Sequence, residues 1–186
     1  MLVNCLTTET GNQILLLDQV FGPERLNQLH AMCNQFEPGC KNWPQPDWCV
    51  ECDLPRYMFD NQGHEWEELK EFFNSAEFKH PIEQYLGVKL QRSVASFWAD
   101  LTGFGTLGPH KEAGGSYMMQ VYLTNTSHDY SGTTIYNESK QILVQLPYRD
   151  NFAWLFHGMK VMHGRHHDVP EGLTRFTLQV WFYEEI

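Results

Sequence analysis

From Lys89 onward the apolar residues come in short runs, each cut off by turn residues within about ten positions, which leaves no room for a helix between them. Six runs read as strands: Leu90–Ala99, Tyr117–Thr124, Thr133–Tyr136, Ile142–Leu146, Phe152–Phe156 and Arg175–Tyr183. Between them stand Thr102-Gly103, Gly114-Gly115, Ser131-Gly132, Pro147 and Pro170-Glu171-Gly172, residues that favour turns by their φ preferences or local hydrogen bonds. Many short strands without intervening helices predict a β-sandwich or jelly roll. The last run alternates Phe176, Leu178, Val180 and Phe182 against Thr177, Gln179 and Trp181. Such a strand buries one face in a core and leaves the other available to a pocket.

Residues 1–87 have a different character, mixing short strands with helices. Gly22-Pro23-Glu24 opens a helix expected to run through Phe36, with proline in its first turn and Leu26, Leu29 and Met32 along one stripe. A second is expected from His64 to Phe73, with Trp66, Leu69, Phe72 and Phe73 on one face, and a third up to Tyr85 before Gly87. These helices are expected to brace the sheet formed by residues 88–186. The expected fold is therefore mainly β with supporting N-terminal helices, and 186 residues suit a single domain with a sizeable core.

Acidic residues outnumber basic ones by 23 − 13 = 10, giving a net charge of −10. That balance argues against a general nucleic-acid binder, whose contacts run to phosphates. The first residues show no cationic segment followed by an apolar run, and no stretch approaches the roughly 18 apolar residues of a membrane span. The expectation is a soluble, cytoplasmic protein with no membrane or nucleic-acid partner. Five cysteines, Cys5, Cys33, Cys40, Cys49 and Cys52, all precede residue 53. Cys49 and Cys52 have the spacing of half a zinc knuckle that Cys33 and Cys40 could complete, but without a second CxxC they read as free thiols.

His110-Lys111-Glu112 follows the extended segment Thr106-Leu107-Gly108-Pro109. On a strand, residues i and i+2 share a face, so an imidazole and a carboxylate stand side by side as neighbouring ligands for one ion. A histidine from a distant strand would complete a two-histidine, one-carboxylate facial triad, which leaves three adjacent coordination positions open and suits non-haem Fe(II). His157, His163, His166 and His167 lie close together and supply candidates, with His157 and His166 as alternatives to His163. Arg175, opening the final strand, can reach the same pocket and grip a carboxylate with its planar fork.

These features occur in an order that resembles the Fe(II)/2-oxoglutarate dioxygenases, in particular their prolyl-hydroxylase-like branch. A glycine-containing lead-in, Phe97 to Gly105, is followed by His110-Lys111-Glu112. Next come the strand Val121-Tyr122-Leu123-Thr124-Asn125, a Gly-Thr-Thr turn at Gly132–Tyr136 and Pro147. His163-Gly164 and the closing strand Thr174 to Phe182 complete the order. The likeness covers slightly more than half the chain.

The resemblance implies a double-stranded β-helix, a jelly roll with the metal at its mouth. It selects His163 by its following glycine and its distance to Arg175. His110, Glu112 and His163 would then bind Fe(II), while Arg175, Tyr122 and Thr177 would hold the distal carboxylate of 2-oxoglutarate. The implied reaction is hydroxylation of a C–H bond using O2, with release of succinate and CO2. Its substrate would be a peptidyl proline, or a free amino acid or other small molecule. The family more often has aspartate where this chain has Glu112, one methylene longer with the same anionic oxygen. Glycine or alanine there would have suggested a halogenase. Trp98, Asp100, Tyr117 and Arg165 are expected near the mouth, although Trp98 also suits the core. The alternative is a non-catalytic or zinc-containing cupin-like jelly roll that binds a ligand, to which a 2-oxoglutarate anchor at Arg175 would be superfluous.

Overall fold

Leu178, Val180 and Phe182 pack into an aromatic core on one side of the closing strand, whereas Arg175, Gln179 and Trp181 line a cavity on the other. The computed structural model describes residues 2–60, 64–105, 108–114, 116–124 and 131–184. Of the sequence features above, Thr106-Leu107, Gly115 and Asn125 lie outside the described residues.

The first part of the chain forms β1 (Leu2–Thr7), β2 (Gln13–Asp18), α1 (Pro23–Asn34), α2 (Asp47–Glu51), β3 (Arg56–Met58), α3 (His64–Asn74) and α4 (Ala76–Leu86). The strands β4 (Leu90–Asp100), β5 (Tyr117–Leu123), β6 (Ser131–Tyr136), β7 (Ile142–Pro147), β8 (Phe152–His157), β9 (Met162–Gly164) and β10 (Arg175–Glu184) follow. They form a seven-stranded sheet in the order β1-β2-β8-β5-β10-β4-β3 and a three-stranded sheet in the order β7-β6-β9. The two sheets enclose one apolar layer and the cavity, in the manner of a double-stranded β-helix.

Two cores follow from the period-2 alternation of the large sheet. Its outer face carries Phe97, Met119, Val121, Leu155 and Val180 against the helices, where Leu29, Met32, Trp43, Trp66 and Phe73 are fully or almost fully buried. Trp43 is the pivot of that layer. Its ring meets Phe36, Phe59 and Phe97 edge-on at centroid distances of 5.1–5.3 Å, and its N–H donates to the Met32 carbonyl. The inner face carries Met118, Tyr122, Trp154 and Phe156 toward the small sheet.

Local chemistry sets the helix ends. The Ser75 hydroxyl caps α4 by accepting the Phe78 N–H at 3.2 Å, and Gly87 ends it at φ 69°, a conformation that a Cβ disfavours. The Glu83 carboxylate then accepts the Leu90 N–H at 2.9 Å and ties that helix to β4. Glu83 is held below the usual carboxylate range, by this hydrogen bond first and by Lys89 as well.

Three differences from the sequence reading have physical causes. The first helix ends at Asn34 rather than Phe36, whose ring instead turns inward onto Trp43 and Phe176. The strand β4 runs one residue further, to Asp100, because that carboxylate is held by charged neighbours on both flanking strands. Finally, the large sheet is not confined to residues 88–186, because β1 and β2 extend it through β8. Among the described residues no helix is long and apolar enough to cross a membrane.

Candidate metal and carboxylate site

His110 and His163 are joined by their own backbones. Each N–H donates to the other's carbonyl at 2.9 Å, an isolated bridge that extends the small sheet beyond β9. The imidazole centroids are consequently 4.6 Å apart. Glu112, two residues on, is fixed by its N–H donating to the Gly158 carbonyl at 3.1 Å. Lys111 between them reaches the other way, to Glu138 at 2.9 Å. No strand forms in this segment beyond the single bridge at His110, yet His110 and Glu112 still come to one side, with Gly158 packed close against Glu112. A Cβ there would lie 3.2 Å from Glu112 Cβ.

The ligand atoms of His110, Glu112 and His163 all lie within 4.8 Å of one another. Glu112 Oε1 is 3.1 Å from His163 Nε2 and 3.7 Å from His110 Nε2. Two ligand atoms about 2.1 Å from one ion and at right angles stand about 3 Å apart, so the Glu112–His163 separation is that of neighbouring ligands, and His110 would move slightly closer on binding an ion. The second nitrogens add to the fit. His110 Nδ1 is 2.8 Å from the Gly108 carbonyl and His163 Nδ1 is 3.2 Å from the Val161 carbonyl. A carbonyl only accepts, so both Nδ1 atoms carry hydrogen and both Nε2 atoms face the carboxylate. A proton or a metal ion can bridge that space, and a divalent cation satisfies all three groups at once. The imidazoles, His110 foremost, hold Glu112 down at a pKa of about 2, and Glu112 in turn pushes His110 up. The carboxylate is therefore ionised throughout the neutral range.

The same cavity of about 240 Å3 is lined by Arg175, Arg165, Arg56 and Asp100. Asp100 has no exposed surface. Its Oδ2 accepts from Arg175 Nη1 at 2.9 Å and lies 3.5 Å from Arg165 Nη1, while its Oδ1 lies 3.0 Å from Arg56 Nε. That last contact is an ion pair whose N–H is not aimed along a hydrogen bond. The sheet register explains the convergence, because Asp100 is the direct partner of Arg56 on β3 and of Arg175 on β10.

The placements of the remaining sequence candidates differ. Tyr122 and Thr177 face the interior as expected and pair across β5 and β10, but both are fully buried behind the cavity wall. The Tyr122 hydroxyl donates to Thr133 Oγ1 at 2.6 Å and accepts from Trp154 Nε1 at 2.8 Å. That position depends on Gly132, where a Cβ would come 2.4 Å from the Tyr122 ring. Asp100 and Arg165, read as mouth residues, are interior instead, and Arg165 donates to the Gly105 carbonyl at 2.6 Å. Tyr117 packs on His157, away from the triad, and His166 is exposed beside His167. Trp98 is half-buried, between the Arg56 guanidinium and Trp48. The cysteines do not converge. Among the described residues, His110, Glu112 and His163 form the one group of three potential metal ligands.

The sequence reading did not single out Arg56, Gln120 or Thr133, all of which line the cavity. Arg56 carries little signal, since only the short run after Pro55 hints at an edge strand. Gln120 and Thr133 could have been found by extending the period-2 count along their strands.

No protein-family profile matches the sequence, and no curated protein matches it. Solved structures do resemble the fold. A prolyl-4-hydroxylase from Pseudomonas putida superposes with a TM-score of 0.65 at 14% identity, covering 93% of each chain. An oxidoreductase of the 2OG-Fe(II) oxygenase family from Burkholderia pseudomallei gives 0.62 at 12% identity, over 94% of this chain and 85% of that one. A prolyl hydroxylase from Trichoplax adhaerens, in complex with a hypoxia inducible factor peptide fragment, gives 0.65 at 10% identity, over 92% and 83%. The chain has the jelly-roll fold of the prolyl hydroxylases.

Proposed function

We propose that this protein is an Fe(II)- and 2-oxoglutarate-dependent oxygenase that hydroxylates a C–H bond, with residues 1–186 acting as one catalytic domain. The observation that carries the reading is the convergence of His110, Glu112 and His163 in a cavity that Arg175 also lines. The likeness of the fold to oxygenases supports it.

In this reading His110 Nε2, His163 Nε2 and a Glu112 oxygen would hold Fe(II), beside which 2-oxoglutarate would bind. The bound iron and cosubstrate supply oxidation of the substrate C–H bond, coupled to decarboxylation of 2-oxoglutarate to succinate and CO2. The Gly108 and Val161 carbonyls keep the imidazoles turned toward the ion by accepting the Nδ1 hydrogens. Arg175 takes the distal carboxylate of 2-oxoglutarate, and Asp100 keeps its guanidinium in place at 2.9 Å. Tyr122 and Thr177 back that end of the cavity. Enclosure between the two sheets limits water around the reacting groups. The substrate is a peptidyl proline or a small molecule such as an amino acid.

Anaerobic titration of the metal-free protein with Fe(II) and 2-oxoglutarate tests the reading. A weak visible charge-transfer band, lost in His163→Ala, is the expected result. Tight zinc binding without any such band would favour the ligand-binding jelly roll in its place.

A further inference from the structure

Three of the chain's six arginines line this one cavity in a protein of net charge −10. The oxygenase reading uses one of them, Arg175, for the distal carboxylate of the cosubstrate. Arg56 is the one that comes from the N-terminal region, and its side chain keeps some exposure, at 12%. The cavity is small. At about 240 Å3 it falls below the roughly 300–1,000 Å3 of pockets for drug-sized ligands, which suits two small molecules side by side.

Arg56 is held as a rigid, flat donor. Its guanidinium lies over the Trp98 ring at 4.1 Å and near the Phe104 ring at 5.0 Å. Its acidic neighbour Asp100 is shared, since the other oxygen of that carboxylate already accepts from Arg175. Burial pushes Arg56 down from its ordinary value; Asp100 pushes it back up, and the like charge of Arg175 adds to the fall. An anion placed in the cavity against Arg56 would offset both the burial and the repulsion. A guanidinium fixed by aromatic rings recognises a carboxylate in particular, because its parallel N–H bonds match the two oxygens.

We propose that Arg56 binds a carboxylate carried by the primary substrate, which makes that substrate a small carboxylic acid of about amino-acid size rather than an internal residue of a polypeptide. The inference rests on the oxygenase reading and deepens it. An uncharged internal residue of a peptide brings no anion to this wall, whereas a free acid does. Arg165, 4.4 Å over the Phe104 ring, lies on the same side of the cavity and adds to its positive potential.

The test uses the whole chain loaded with Zn(II) and 2-oxoglutarate, so that no turnover occurs. Calorimetry measures 2-oxoglutarate uptake. Saturation-transfer NMR then reads binding from a pool of the twenty amino acids and three- to six-carbon hydroxy acids, and separately from their carboxamides. At least one free acid is expected to bind the wild type and to weaken about tenfold or more as its carboxamide, the worth of a charge-assisted hydrogen bond. Arg56→Gln should weaken the same acid comparably while leaving 2-oxoglutarate affinity unchanged. Three results would each overturn the proposal: no acid binding, carboxamides binding equally well, or full binding to Arg56→Gln. Loss of 2-oxoglutarate itself in that variant would also overturn it, by assigning Arg56 to the cosubstrate. The carboxamide comparison needs only the wild type, so it stands even if Arg56→Gln folds poorly. Wild type that takes up no 2-oxoglutarate would instead sink the oxygenase reading, and this inference with it.

Discussion

His110 and His163 exchange backbone hydrogen bonds at 2.9 Å in both directions, so the two imidazoles are brought together by main-chain pairing rather than by side-chain packing alone. Exchanging either side chain should therefore leave the bridge intact while removing a ligand. His110→Ala and His163→Ala are expected to weaken Fe(II) or Co(II) binding by more than the roughly 10–100-fold that loss of an outer partner costs. Metal titration followed by absorbance or calorimetry reads this directly. Unchanged affinity in either variant would remove that histidine from the ligand set.

Arg175→Ala should lower 2-oxoglutarate affinity by about 10–100-fold, since hydrogen bonds to charged groups contribute about 1.5–3 kcal/mol. Metal binding should hardly change, because the guanidinium is not among the three clustered ligands. Calorimetry with metal-loaded protein separates the two effects, and equal 2-oxoglutarate affinity would contradict the assigned role.

Asp100→Asn is expected to reduce folding stability by about 3–5 kcal/mol, the cost of breaking a buried ion pair from one side. Asp100 stands between Arg56 and Arg175 with no exposed surface, and asparagine keeps its shape without its charge. Urea unfolding would measure the difference. A midpoint equal to that of the wild type would mean that the arginines do not depend on this carboxylate.

How much of this could be read from the sequence depended on whether a feature is local. The alternation of Arg175–Tyr183 is a property of a single strand and survives in the structure, whereas His110 and Glu112 come together without the strand that their i, i+2 spacing suggested. The position of Asp100 was misjudged because its surroundings come from β3 and β10, which are far apart in the chain. No local pattern near Arg56 announces that it will stand in one cross-strand row with Arg175. Tyr122 was placed on the correct face, but its depth is set by Trp154 and Thr133, which reach it from different sheets.

Gly132→Ala should cost about 1–3 kcal/mol, the usual range for overpacking. A Cβ at this position would come 2.4 Å from the ring of Tyr122, whose burial leaves it little room to retreat. Thermal unfolding gives the stability change, and the near-ultraviolet signal of Trp154 should move with it if the Tyr122 hydroxyl is displaced. A variant as stable as the wild type would show that the ring can shift at no cost.

Glu83 contributes a pH-dependent part of stability. Its folded pKa is depressed, so the contribution is fully present above the unfolded value of about 4.3 and is lost as pH falls through the lower folded value. Glu83→Gln should accordingly be less stable than the wild type at pH 7, with the two converging in acid. A constant difference in urea midpoint at every pH would assign the effect to shape rather than to charge.

The strands β4 and β5 follow one another in the chain, yet β10 lies between them in the sheet. Their neighbouring edges must therefore stay apart, with main-chain donors and acceptors unmatched, until a segment made much later inserts itself. Closure of that gap is a long-range event with a high entropic toll, which predicts slow folding and a transient species with exposed strand edges. Because Arg175 arrives on the inserting strand, its guanidinium joins the cavity only at that final step, whereas Arg56 and Asp100 stand on the neighbouring strands β3 and β4. Nascent or partly folded chains would then lack the arginine assigned to 2-oxoglutarate, even after the metal-binding side had formed.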